Sequence, residues 1–138
     1  MKLYYSPGSC ALSPHIVALE SGQGLELAQV DLGKHEVVGG GDYHQVNGKG
    51  SVPALALDDG SVLTEGPAIV QYLADQKPES RLAPRFGTME RYREMEWLNF
   101  ASSEVHKQIG ALFNPKLTPE MKEVQLGAPT HPSISIIR

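Results

Sequence analysis

Asp59-Gly60 lies between two short apolar runs, Val52-Pro53-Ala54-Leu55-Ala56-Leu57 and Ser61-Val62-Leu63-Thr64. An Asp-Gly pair flanked this way signals a tight β-hairpin, because glycine accepts the positive φ that the turn requires. The neighbours of this hairpin narrow the fold. Before it, Lys2 to Tyr5 reads as an apolar strand, Pro14 to Ser21 as a helix with Ile16, Val17 and Leu19 buried, and Leu25 to Leu32 as an alternating strand. Gly22 and Gly24 suit the C-terminal end of that helix. After the hairpin, Glu65 to Asp75 reads as a helix with Pro67 in its first turn and Ile69, Val70, Tyr72 and Leu73 on its apolar face. One strand–helix–strand unit, then a hairpin and a closing helix, is a small α/β sandwich.

Between the two parts, Gly33 to Asp42 reads as a loop around Gly39-Gly40-Gly41, and Asp42 to Val46 as a single helical turn. Lys77 to Gly87 is a linker with Pro78 and Pro84. Thr88 to Phe113 carries the longest helical pattern, with Met95, Leu98, Val105, Ile109 and Leu112 as its apolar stripe and Thr88 as a partial cap. Asn114 to Glu123 reads as a short helix capped at Thr118-Pro119-Glu120. From Val124 onward no helical period is visible, and the tail 124–138 is expected to be disordered.

Cys10 is the only cysteine of the 138 residues, so no internal disulfide is possible and a reducing cytoplasm is the expected location. It sits in Tyr5-Ser6-Pro7-Gly8-Ser9-Cys10, at or just before the start of the first helix. Unpaired N–H groups and the helix dipole there favour an anion. The thiol is expected to have its pKa pulled down towards neutrality. The same N–H groups could instead receive an anionic ligand, and a small buried hydrophobe remains the plain alternative. A net charge of −4 with no basic run argues against nucleic acid and anionic membranes as partners. No apolar run reaches the length of a membrane span.

Other features carry chemistry. Val52-Pro53 is either a cis bond that frees the Val52 backbone to pair with an extended peptide, or an edge-strand proline in trans. Glu65-Gly66 opens a helix, where a ligand carboxylate and ammonium could be held, or where an acid simply complements the dipole. Asn99, Ser103 and His106 fall within about 60° of one another at helical spacing, as the lining of a cleft or as a solvated face. His106 could act as a general base or as a hydrogen-bond donor near a thiol. It has no second histidine at the spacing a metal needs, and no metal is expected.

These pieces, taken in order, resemble the cytosolic glutathione S-transferases, most of all the bacterial beta class. The resemblance is carried by Met1-Lys2-Leu3-Tyr4-Tyr5-Ser6-Pro7-Gly8-Ser9-Cys10, Ser51-Val52-Pro53-Ala54-Leu55, Leu57-Asp58-Asp59-Gly60, Leu63-Thr64-Glu65-Gly66-Pro67-Ala68-Ile69, Glu96-Trp97-Leu98-Asn99-Phe100 and Ser103-Glu104-Val105-His106-Lys107. It runs from Met1 to about Lys122. It implies an α/β thioredoxin-like glutathione-binding domain over 1–77, a linker over 78–87 and a partial all-α domain over 88–123. It also implies a cytoplasmic homodimer active in detoxification. Residue by residue, Cys10 matches the signature cysteine of the class, which can form a mixed disulfide with glutathione. Val52, before the family's cis proline Pro53, matches the position whose backbone pairs with the cysteinyl part of glutathione. Glu65 and Gly66 match the grip on the γ-glutamyl end. Asn99, Ser103, Glu104, Val105 and His106 match the helix segment that closes the site around the sulfur.

The chain departs from the family pattern in places. His35 stands where the class often has lysine and carries less charge towards a glutathione carboxylate, and the adjacent Lys34 could substitute for it. Gly48 stands where proline is usual. The family continues well past Lys122 with further helices, so the chain reads as truncated or frame-shifted, with the stripe of its long helix left bare. The expected activity is conjugation of the glutathione thiol to electrophilic hydrophobic small molecules, with Cys10 and His106 as catalytic residues. The alternatives are glutathione-dependent thiol–disulfide exchange through Cys10 and an inactive glutathione-binding remnant.

Overall fold

The computed structural model describes residues 1–127. The chain divides into two compact units, Met1–Met95 and the part from Glu96 onward.

The first unit holds a mixed five-stranded sheet in the order β3-β2-β1-β4-β5. Its strands are β1 (Lys2–Tyr5), β2 (Glu26–Asp31), β3 (Glu36–Val37), β4 (Ala54–Ala56) and β5 (Val62–Thr64). β1 pairs in parallel with β2 through the crossover helix α1 (Leu12–Glu20), and antiparallel with β4. The Asp59-Gly60 turn joins β4 to β5 as expected, with Gly60 at φ 86°. Pro53 stays outside the ladder at the head of β4, where its missing N–H does no harm. The short β3 falls inside the expected glycine loop and pairs with β2.

Side-chain alternation along the strands makes two cores. Leu3 faces Leu55 in register, and both pack with Ala18 of α1 and with Ile69 and Leu73 of α2 (Gly66–Gln76). The next residues along, Tyr4 and Ala54, lie on the other face with Val30, Tyr43, Val46 and Val52. The loop after β3, with its single turn at Tyr43–Gln45, therefore closes the second face and brings Val52 to the sheet.

Two local expectations change. α1 starts at Leu12, ahead of Pro14, because Pro14 sits in the first turn where a missing N–H is not needed. It buries Pro14 and Ala18, whereas Ile16 and Leu19 are exposed. The small Ala18 is the residue that fits against the core.

The unit boundary falls inside α3 (Met89–Phe100), later than the expected linker 78–87, and Arg91 accounts for this. Arg91 is 2% exposed and holds Asp75 of α2 with two bonds, Nη1–Oδ1 at 2.9 Å and Nη2–Oδ2 at 2.7 Å. It also donates to Gln71 Oε1 and the Pro84 carbonyl. Glu94 Oε2 lies 3.4 Å from Arg91 Nε without a hydrogen bond. Burial pushes the Glu94 carboxyl up, against the pull of Arg91.

From α3 the chain winds on through a π-helical stretch, Ala101–His106, into α4 (Lys107–Ala111). The single helix expected over 88–113 is thus interrupted by looser i→i+5 turns. α5 (Pro119–Gly127) follows, and Thr118 Oγ1 caps it by accepting from the Met121 N–H. Val124 to Gly127, expected in the tail, are the last residues of this helix, and 128–138 lie outside the described residues.

Candidate functional site

Cys10 sits one residue before Ala11, which caps α1. The tight turn Ser6–Ser9, closed by the Ser9 N–H to the Ser6 carbonyl at 3.1 Å, delivers it there. The Cys10 thiol is exposed at the residue level, and its Sγ donates to the Val52 carbonyl at 3.6 Å. Burial pushes the thiol pKa up, its own backbone bond lowers it, and the Glu65 carboxylate raises it. The expected depression towards neutrality is therefore reversed. Withdrawal of the sulfur from water is the largest cause, and with the nearby Glu65 carboxylate it outweighs the one backbone bond that favours the thiolate.

Val52-Pro53 is cis, the first of the two alternatives. Its loop is fastened from below. Tyr43 Oη and Asn47 Nδ2 both donate to the Ser51 carbonyl, at 2.8 and 2.7 Å, and Asn47 Oδ1 accepts the Lys49 N–H. Gly48 in place of the family proline leaves this turn intact.

The same loop meets the other candidates. Lys49 Nζ lies 2.8 Å from Glu65 Oε1 and 3.4 Å from Thr64 Oγ1. Gly50 lies against His35, as a Cβ placed at Gly50 would come within 2.8 Å of His35 Nδ1. Val52 accepts from Cys10. A Cβ at Gly66 would stand 4.0 Å from the ring of Pro53. One segment, 49–53, therefore brings Cys10, His35, Glu65 and Gly66 together.

Glu65 caps α2 with φ 71° and ψ 116°, a conformation that a side chain rarely adopts. Its carbonyl accepts both the Ala68 and Ile69 N–H groups at 3.0 Å. Backbone held in so sparse a region is commonly found at ligand sites. The mouth of α2 at Gly66 adds the N-terminal end of a helix dipole, suited to a carboxylate.

Asn99, Ser103, Glu104, Val105 and His106 belong to the second unit. Asn99, Ser103 and His106 are exposed, and Ser103 Oγ donates to Glu104 Oε1 at 3.1 Å. The π-helical stretch changes the phase on which their common stripe was expected. Among the described residues, no group of three His, Cys, Asp or Glu gathers as metal ligands. No described helix is long and apolar enough to cross a membrane.

Sequence reasoning missed Lys49, His44 and Asn47. Asn47 followed by Gly48-Lys49-Gly50 ahead of Val52-Pro53 was a readable turn signal. Nothing in the sequence marked Lys49 or His44 individually.

Residues 9–76 match the family described as glutathione S-transferase, N-terminal domain. The chain is 49% identical over 122 residues to glutathione S-transferase GstA of Escherichia coli O157:H7, covering 88% of this chain and 61% of that protein. It thus spans about three fifths of the length of that relative. Two solved structures each superpose with a TM-score of 0.92 over 99% of this chain and 68% of their own. One is a sphingomonad glutathione S-transferase complexed with glutathione, 43% identical. The other is a beta-class glutathione S-transferase of Sphingomonas chungbukensis, 46% identical. The strand–helix–strand unit, the hairpin and the cysteine-bearing turn thus have a family, and the chain belongs to it: the glutathione S-transferases, among their bacterial beta-class members.

Proposed function

We propose that this chain binds glutathione along its first unit and serves conjugation of the glutathione thiol to electrophilic small molecules. The observation that carries the reading is the contact of Cys10 Sγ with the Val52 carbonyl, on the segment that also touches His35 and Glu65. A γ-linked tripeptide laid along this segment would set its cysteinyl backbone on Val52. Its γ-glutamyl end would lie on Glu65 and Gly66, and its glycyl carboxylate on His35. A similar protein solved in complex with glutathione supports glutathione as the ligand, and the placement of its parts is what the family resemblance implies.

In conjugation the thiolate of glutathione forms a C–S bond to the electrophilic carbon, and the leaving group departs with its electron pair. The protein's part is to hold that thiol in position and ease the loss of its proton. Cys10 lies at the sulfur end of the groove. His106, with Asn99, Ser103, Glu104 and Val105, is proposed from the family resemblance, as the base and closing segment. A cytoplasmic homodimer engaged in detoxification belongs to the same proposal. Exchange through Cys10 draws no support from the site, because burial raises the thiol pKa where that chemistry needs it lowered.

The test is retention on immobilised glutathione together with a conjugation assay using a chlorodinitroarene. Retention with turnover is expected, and Cys10→Ala should keep the turnover. Retention without turnover would leave a binding remnant, and failure to bind would end the reading.

A further inference from the structure

His35 and His44 stack on each other, with ring centroids 4.5 Å apart and planes tilted by 35°. The stack rests on Gly50. A Cβ there would stand 2.8 Å from His35 Nδ1 and 2.8 Å from His44 Cε1, so only a residue without a side chain leaves room for both rings. Gly50 is buried, with φ 65°, and its N–H donates to the Asn47 carbonyl at 2.8 Å. Both histidines are also fixed at the backbone. The His35 carbonyl accepts the Tyr43 N–H at 2.8 Å, and Asp42 Oδ1 accepts the His44 N–H at 2.9 Å. His35 itself lies at φ 56°, a left-handed conformation that its surroundings must hold.

His35 Nδ1 is buried and has no hydrogen-bond partner among the described residues. A proton on that nitrogen would be a sealed, unpaired donor. The neutral ring therefore carries its proton on Nε2, the nitrogen left to meet a ligand. We propose that His44 is a positioning residue: stacked over Gly50, it fixes the His35 imidazole so that Nε2–H meets the glycyl carboxylate of glutathione. This rests on the glutathione-binding reading above. It gives a physical role to the histidine that stands where the class often has lysine. A flat ring clamped by a second flat ring grips by a directed hydrogen bond, where a lysine would use a mobile charge.

The experiment compares the affinity of the full chain for glutathione and for its glycyl monoethyl ester, in which that carboxylate is masked. The parent should prefer glutathione by about tenfold, the scale of one hydrogen bond to a charged group. His35→Ala and His44→Ala should each collapse the preference to about one. The double variant should lose no more than His35→Ala alone, and His44→Phe, which keeps a stackable ring, should restore the preference. Should His44→Ala not fold, His44→Gln fills the space without a flat ring and takes its place. A preference kept in His44→Ala or His44→Gln but lost in His35→Ala would overturn the positioning role and leave the glutathione reading standing. A parent that binds both ligands equally would remove the assignment of His35 to the carboxylate, and the inference with it.

Discussion

The two units differ in what they bury. Met1 to Met95 encloses two apolar clusters on opposite faces of one sheet, with Leu3, Leu55, Ile69 and Leu73 in one and Val30, Tyr43 and Ala54 in the other. From Glu96 to Val124, no residue whose burial is described is buried, and Ile109 and Phe113 are 52% and 82% exposed. Both parts satisfy their backbone in regular structure. Among the described residues, only those of the first withdraw apolar surface from water on a scale that stabilises a fold. Helices as short as α4 and α5 are marginal on their own, because nucleation is unfavourable and few bonds repay it. The candidate groove lies in the part that has a core.

The largest blow to this contrast is a cavity in the first unit. Leu55→Ala should cost about 4 kcal/mol, read as a lowered urea midpoint. Arg91→Ala comes next, at about 3 kcal/mol, because it leaves Asp75 and Glu94 facing each other without their cation. Hydrogen exchange under the same conditions should find amides of β1 and β4 far slower than those of 107–124, and equal protection would erase the distinction.

A third measurement sharpens the comparison at the groove. Alkylation of Cys10 by iodoacetamide at neutral pH should be slower than that of an unstructured thiol. Because the folded pKa is raised, the rate should climb with pH to a midpoint above the ordinary thiol value. Glu65→Gln, which removes a carboxylate that raises this pKa, should bring the midpoint down. A midpoint below that of a free thiol would contradict the geometry. The smallest effect belongs to the second unit: Ile109→Ala should change stability by no more than about 0.5 kcal/mol, since about half of that side chain already meets water.

The fold of the first unit was legible because its signals are local. Asp59-Gly60 fixed the hairpin, and the alternation around Leu3 and Leu55 fixed the faces. β3 escaped notice because Gly39-Gly40-Gly41 dominates its neighbourhood, and its two residues pair with β2, which comes from another part of the sequence pattern. The buried side of α1 was misjudged because residue size misled: Ile16 and Leu19 are larger than Ala18, yet close packing selected the smaller residue. The π-helical stretch left no mark in a pattern read at α-helical spacing. At the site, Cys10, Val52 and Glu65 were readable as motifs. The direction of the Cys10 pKa was not, because it depends on burial and on the Glu65 carboxylate, both supplied by residues distant in sequence. Arg91 and His44 have meaning only through partners that folding supplies.

Segment 49–53 acts as a common rail. Carboxylate, imidazole and thiol all bear on it, so a slip of a few tenths of an ångström in its backbone would displace them in step. Substitutions within the rail would then weaken every part of a bound peptide at once. A change of taste for one end of a ligand would have to arise across the groove, in the side chains that lean on the rail.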